Sequence, residues 1–280
     1  MTPSEHFGDR LAAAVARRET QIVLGLDPDP AKLWPGHDSV LGHCRALIDA
    51  AGSACVAVKP QLATFERLGP DGWAVLHEVC AHARGAGLLV LADGKRGDVP
   101  VTTRAYGDAL AGSLRADAFT VNPLLGRDSL EPFVEAARSS GAAPFVLVRT
   151  SNPGAADFFD LTLESGEPLW ERIAALVDAL GAAGPDSGLS DVGAVTGATV
   201  PEHLGRMREL MPRTPFLLPG VGAQGGDVAS LGPAFAPGRA GGLVTASRSI
   251  ANAWVDAGGD PRAAALREAE RLRAVAWDLA

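Results

Sequence analysis

Short apolar runs, rich in β-branched residues, recur along the chain at 21–26, 55–58, 88–92, 118–121, 145–148, 192–196, 216–218 and 242–246. None alternates with a polar face, the pattern expected of strands covered on both sides. Between them, over 40–51, 72–84, 104–114, 130–137, 169–180 and 201–210, apolar positions return at the three- and four-residue spacing of helices. Strands that alternate with helices predict an α/β protein with a parallel sheet, and eight such strands predict a closed (β/α)8 TIM barrel. An open doubly wound sheet is the alternative. Two further helical stretches, 5–18 and 261–279, fall outside the repeat. The first is expected to cap the barrel bottom and the second to pack on the outside. Segments 151–168 and 220–241, rich in Gly, Pro and small residues, have the length of lids.

Composition narrows the function classes. A chain of 280 residues accommodates one barrel domain, 1–280, and a net charge of −8 offers no basic face to nucleic acid or to an anionic membrane. An anionic ligand must therefore be gripped by a few placed groups. Cys44, Cys55 and Cys80 lack metal-ligand spacing and sit in apolar patterns, so they read as reduced core residues. No apolar run approaches the length of a membrane span and the first residues lack a secretory hydrophobic region, which makes the cytoplasm the expected compartment.

In a barrel of this kind the chemistry lies at the C-terminal ends of the strands. Those ends carry Asp27, Lys59, Asp93 with Lys95, Asn122, Arg149 to Asn152, Pro219 to Gly222, and Ser247 with Arg248. Asp93 and Lys95 are two apart and so share a side of a strand. Neighbouring strands bring Asp27, Lys59, Asp93 and Lys95 together with Asp98 close behind, an alternation of signs that survives desolvation only when paired. An ammonium between carboxylates stays protonated, so Lys95 suits proton donation better than Schiff-base chemistry, which needs a neutral amine.

A second half-site lies after strands seven and eight. Gly220, Gly222, Gly225 and Gly226 can expose backbone amides ahead of a short helix, Gln224 adds a donor, and Arg248 adds a fork that suits phosphate. Two decoys fail. Gly220-x-Gly222-x-x-Gly225 matches a dinucleotide pattern, but 240–250 holds no acid for a ribose. His77 and His82 resemble a zinc helix motif, yet five residues on a helix separate them by about 140°. No histidine closes a strand, so neither a histidine base nor a metal cage is expected.

Asp93-x-Lys95-Arg96-x-Asp98, followed by Thr102, resembles the signature of the orotidine 5'-phosphate decarboxylase family, particularly its longer bacterial branch. Leu26-Asp27-Pro28, Val58-Lys59-Pro60, Thr150-Ser151-Asn152-Pro153-Gly154, the segment from Pro219 to Gly226, and Ala246-Ser247-Arg248-Ser249-Ile250 resemble its other motifs, in order. Thr245-Ala246-Ser247 departs from an expected Asn-Ser-Ser, and Thr196 stands where a valine is usual.

The resemblance implies conversion of orotidine 5'-phosphate to UMP and carbon dioxide, in pyrimidine biosynthesis, without cofactor or metal. By it, Lys95 stabilises and protonates the ring carbanion, Asp93 faces the substrate carboxylate, and Lys59 orients Asp93. Asp27 holds the ribose together with Asp98 and Thr102 from a partner subunit, which implies a homodimer with shared sites. Ser151 binds the pyrimidine, and Gln224 and Arg248 bind the phosphate, beside Pro219, Gly222 and Ser247 in the matching motifs. Two rival readings stand: a magnesium-dependent sugar-phosphate lyase on the same barrel, such as hexulose-phosphate synthase, and a non-catalytic nucleotide-phosphate binding protein.

Overall fold

The structure is a computed structural model that describes residues 5–221 and 225–280. Eight parallel strands close into a barrel in sequence order: β1 (Ile22–Leu26), β2 (Ala57–Pro60), β3 (Leu89–Arg96), β4 (Ala118–Val121), β5 (Ala143–Arg149), β6 (Gly193–Thr196), β7 (Phe216–Leu218) and β8 (Gly242–Ala246). Closure is direct, with Val23 beside Ala57 on one side and Thr245 on the other. The open-sheet alternative is thereby removed.

Alternation along each strand divides the core in two. Leu24, Val58, Val90, Phe119, Val146, Phe216 and Val244 face outward beneath the helices. Val23, Ala57, Leu91, Ala118, Phe145, Leu217 and Leu243 fill the interior. Gly193 makes room there, because a Cβ at that position would overlap the Phe145 ring.

The helix Phe7–Arg18 plugs the bottom of this interior with Phe7, Leu11, Ala14 and Val15, and Phe7 meets Phe145 edge to face at 6.0 Å. His6 Nδ1 accepts from the Gly8 amide and caps its first turn. The helix Pro261–Asp278, capped by Asp260, packs outside the barrel against the helix Val40–Ala51, with its small residues Ala265, Ala269 and Ala276 in the core. With these two helices covering the lower and outer surfaces, the upper mouth is left to loops. Among the described residues no helix is long and apolar enough to cross a membrane.

Two differences from the sequence reading concern the third strand and the helix that follows it. The helix expected at 104–114 begins earlier, at Pro100, and its second half (Asp108–Ser113) is wound as a π-helix. The third strand does not stop at residue 92. It runs on through Asp93, Gly94 and Lys95 to Arg96, with its pairing to β4 slipping between Ala92 and Arg96. That irregularity lies in the most highly charged stretch of the barrel.

Candidate active site

The barrel mouth holds a cavity of about 320 Å³, lined by residues from the ends of all eight strands or the loops beyond them. Its floor is Asp93, 6% exposed, and four donors converge on its carboxylate. Lys59 Nζ donates to Oδ2 at 2.7 Å and Gln61 Nε2 donates to the same oxygen at 3.3 Å. Lys95 Nζ at 2.7 Å and the Thr120 hydroxyl at 2.8 Å donate to Oδ1.

Three neighbouring strands build this cluster. Lys59 projects inward from β2, opposite Gly25 of β1, and Gln61 lies beyond it on the same face. Asp93 lies on β3 and Thr120 on the inward face of β4. Lys95 reaches Asp93 by a route that simple alternation does not describe. Its backbone is left-handed (φ 47°) and its amide donates to the Thr120 hydroxyl at 2.9 Å.

The electrostatics are those of a committed ion cluster. Burial alone would push the Asp93 carboxyl up, but Lys59 and Lys95 outweigh it and hold the group well below the usual carboxylate range. Burial likewise works against the Lys59 ammonium, yet Asp93 and Asp27 raise its pKa above the ordinary lysine value. Both groups are therefore ionised at neutral pH. Desolvation is uneven, however. Lys59 and Asp93 are buried, whereas the Lys95 side chain is 42% exposed and Asp27 is exposed. The expectation of a desolvated cluster holds for Lys59 and Asp93 only: Asp27 and Lys95 lie at the rim, where water still reaches them.

Asp27, just past β1, accepts from the Ser247 hydroxyl at 2.6 Å, a contact made possible by β1–β8 closure. Gly25 is required beneath it, since a Cβ there would stand 2.6 Å from the Ser247 Cβ. Thr150, Ser151, Asn152, Pro219, Gly220, Val221, Ser247 and Arg248 complete the wall. The segment after β5 is anchored by Arg149, whose guanidinium forks onto both oxygens of Asp160 at 2.7 Å each.

Gly222 and Gln224 lie outside the described residues. Of the other glycines in that loop, Gly226 spends its amide on the Gly220 carbonyl at 3.0 Å, and the next helical element is only a three-residue turn, Val228–Ser230. The short helix expected after these glycines is thus corrected to a single three-residue turn. Asp98 and Thr102 do not line this chain's cavity. Asp98 Oδ1 accepts from the Val99 amide at 2.7 Å, and both residues are half-buried on the adjoining surface.

Gln61 and Thr120 are not among the residues the sequence singles out, whereas Thr150 and Asn152 fall in the segment it places at the end of the fifth strand. For Gln61 and Thr120 a signal existed: each is a polar residue at or just past the end of a barrel strand, on its inward side. The three cysteines are buried and free, with burial pushing each thiol up to about 12. They are core residues, inert as nucleophiles. His77 and His82 remain apart from the site, His82 pairing with Asp49 at 2.6 Å.

Fold and site together define a (β/α)8 barrel with a cluster of paired charges at its C-terminal mouth and Arg248 on the cavity wall. The chain belongs to the orotidine 5'-phosphate decarboxylase / HUMPS family, whose model matches residues 20–267. It is 47% identical over 262 residues to the orotidine 5'-phosphate decarboxylase of Haloarcula marismortui, covering 90% of this chain and 89% of that protein. To the enzyme of the same name from Deinococcus radiodurans it is 44% identical over 258 residues, with coverage of 89% and 90%. Its fold matches the structure of Leishmania donovani OMP decarboxylase with a TM-score of 0.76 at 34% identity, over 97% of this chain and 99% of that one.

Proposed function

We propose that this chain decarboxylates orotidine 5'-phosphate to UMP and carbon dioxide, in the cytoplasm, as a step of pyrimidine biosynthesis. The observation that carries the reading is the Lys59–Asp93–Lys95 array, in which one buried carboxylate is held ionised between two ammoniums. Relatives bearing that activity, alike over nine-tenths of the chain, support it.

The chemical difficulty is an sp2 ring carbon that must carry an electron pair with no adjacent sink. Binding places the substrate carboxylate against Asp93, where like charges repel, and the repulsion is relieved as the carbon–carboxyl bond breaks. The electron pair left on the ring carbon faces the Lys95 ammonium. That ammonium stabilises the developing charge and then donates a proton to the carbon, leaving a neutral amine that recovers its proton from water at the exposed rim. Lys59 remains protonated throughout and fixes Asp93. Ser151 contacts the pyrimidine, Asp27 the ribose, and Arg248 holds the phosphate, whose remote binding energy favours closure over the base.

The magnesium-dependent rival is disfavoured by the donor set. A divalent cation needs carboxylate oxygens, and both oxygens of Asp93 already accept from ammoniums. A pure binding role would not require that costly arrangement.

The same reading includes a homodimer. Asp98 and Thr102 flank Val99, 54% exposed, and Val101, 77% exposed, and Leu124 and Leu125 are also exposed. An apolar patch of this kind favours a protein partner, and a second copy would bring Asp98 and Thr102 to the ribose of the neighbouring site. The function is tested by incubating chelator-treated protein with carboxyl-labelled orotidine 5'-phosphate. Labelled carbon dioxide and UMP in equal amounts are expected; intact substrate, with magnesium-dependent turnover of a hexulose phosphate instead, would transfer the chain to the rival.

A further inference from the structure

Thr120 neither gives nor takes a proton in the decarboxylation, yet it touches both the backbone of the proton donor and the carboxylate that holds the donor's ammonium. Its single hydroxyl proton goes to Asp93 Oδ1 at 2.8 Å, and its oxygen accepts from the Lys95 amide at 2.9 Å. Lys95 Nζ donates to the same Asp93 oxygen at 2.7 Å. The hydroxyl thus closes a ring that runs through the whole of Lys95, from amide to ammonium, and back through Asp93.

The ring matters because Lys95 has little else to hold it. Its side chain is well exposed, and among the described residues Asp93 is its ammonium's partner. Its backbone sits at φ 47°, a region that side-chain-bearing residues seldom occupy unless their surroundings impose it. The β3–β4 ladder slips between Ala92 and Arg96, and within that slip the Lys95 amide takes the Thr120 hydroxyl instead of a strand carbonyl. Thr120 itself is 1% exposed and fixed on the inward face of β4.

We infer that Thr120 is a positioning residue for the decarboxylation: it imposes the left-handed turn at Lys95 and orients Asp93, so that the ammonium is delivered to one place above the carboxylate. This rests on the decarboxylase reading. It predicts that the hydroxyl, not the shape of the side chain, is what the reaction needs.

The test compares wild type, Thr120→Val, which keeps the shape and loses the hydroxyl, and Thr120→Ser, which keeps the hydroxyl. With orotidine 5'-phosphate, Thr120→Val should lower kcat by roughly 10–100-fold with KM within about twofold, because the phosphate grip is untouched while the donor is misplaced. Thr120→Ser should retain kcat within about threefold. Independently of activity, hydrogen exchange at the Lys95 amide should accelerate by about tenfold or more in Thr120→Val and stay slow in Thr120→Ser. Unchanged kcat in Thr120→Val, equal losses in both variants, or unaltered Lys95 exchange would overturn the inference. Should the valine variant not fold, Thr120→Ala is read against the same outcomes. A wild type that turns over no orotidine 5'-phosphate sinks the functional reading alone, and the exchange comparison still decides whether the clamp exists.

Discussion

Lys59 offers the sharpest perturbation of the ion cluster, because it is buried and its ammonium lies 2.7 Å from a carboxylate that is equally buried. Lys59→Met keeps the stem and removes the charge. Asp93 then retains Lys95, Gln61 and Thr120 but loses its buried counter-ion. Breaking a buried pair from one side typically costs about 3–5 kcal/mol. Three surviving donors place the expected loss near the low end, about 3 kcal/mol, or roughly 5–10 °C in Tm for a chain of this size.

The pH dependence is set by the direction of each shift. The folded pKa of Asp93 lies below its unfolded value, so its contribution is present above about pH 4 and is lost as pH falls through the folded value. The folded pKa of Lys59 is raised, so its contribution is full below about pH 10 and is lost as pH climbs through the folded value. In Lys59→Met the Asp93 pKa rises and the acid limb of the stability curve moves toward neutrality. Thermal melts by circular dichroism from pH 3 to pH 8, with Asp93→Asn and the double variant, complete the cycle. The double variant should melt above the sum of the single losses, by a coupling of about 2 kcal/mol or more. Lys59→Met melting with wild type at pH 7, or strictly additive losses, would refute a tightly coupled buried pair.

Other parts of the structure give independent expectations. Arg248→Ala should raise KM for orotidine 5'-phosphate by roughly 10–100-fold, the value of one charge-assisted bond of about 1.5–3 kcal/mol, with kcat less affected; unchanged KM would remove Arg248 from the phosphate site. Arg208 is buried, stacks 3.7 Å above the Phe216 ring, and donates to the carbonyls of Met211, Thr214, Ala234 and Gly241. Arg208→Met should therefore cost about 3 kcal/mol or more through stranded carbonyls, and a Tm within about a degree of wild type would contradict that. Val101→Glu places a charge in the exposed apolar patch and should yield a folded monomer of low activity in analytical ultracentrifugation and assay. A wild-type monomer with full activity would end the shared-site proposal.

The barrel was legible because its strands are covered on both faces and its helices on one, so the two periodicities separate cleanly along the chain. The helices at 40–51 and 169–180 begin and end where the pattern places them. The charged residues of the site were legible for a different reason: Asp27, Lys59 and Asp93 end or follow apolar runs, where charge needs an explanation. What stayed hidden depends on register. The strand slip at 92–96 and the left-handed Lys95 arise from how β3 meets β4, which no local pattern encodes. Thr120 carries a signal as a polar residue on the inward side of its strand, but its contact with the Lys95 amide depends on the same register. The Arg149–Asp160 fork joins two residues through the path of a loop, and neither has a distinctive neighbourhood in sequence. The uneven burial of Asp27, Lys59, Asp93 and Lys95 was equally out of reach, since burial at a barrel rim is set by the loops around it.

The central claim is that the Lys95 ammonium, held by Asp93, protonates the ring carbon as carbon dioxide leaves. It is tested most directly by following the ultraviolet absorbance of orotidine 5'-phosphate with chelator-treated wild type beside Lys95→Ala, whose fold is checked by circular dichroism. The account predicts steady loss of substrate absorbance with wild type and a rate at least about 10²–10⁴-fold lower in a folded variant. Full activity in Lys95→Ala, or no turnover by folded wild type, would contradict it.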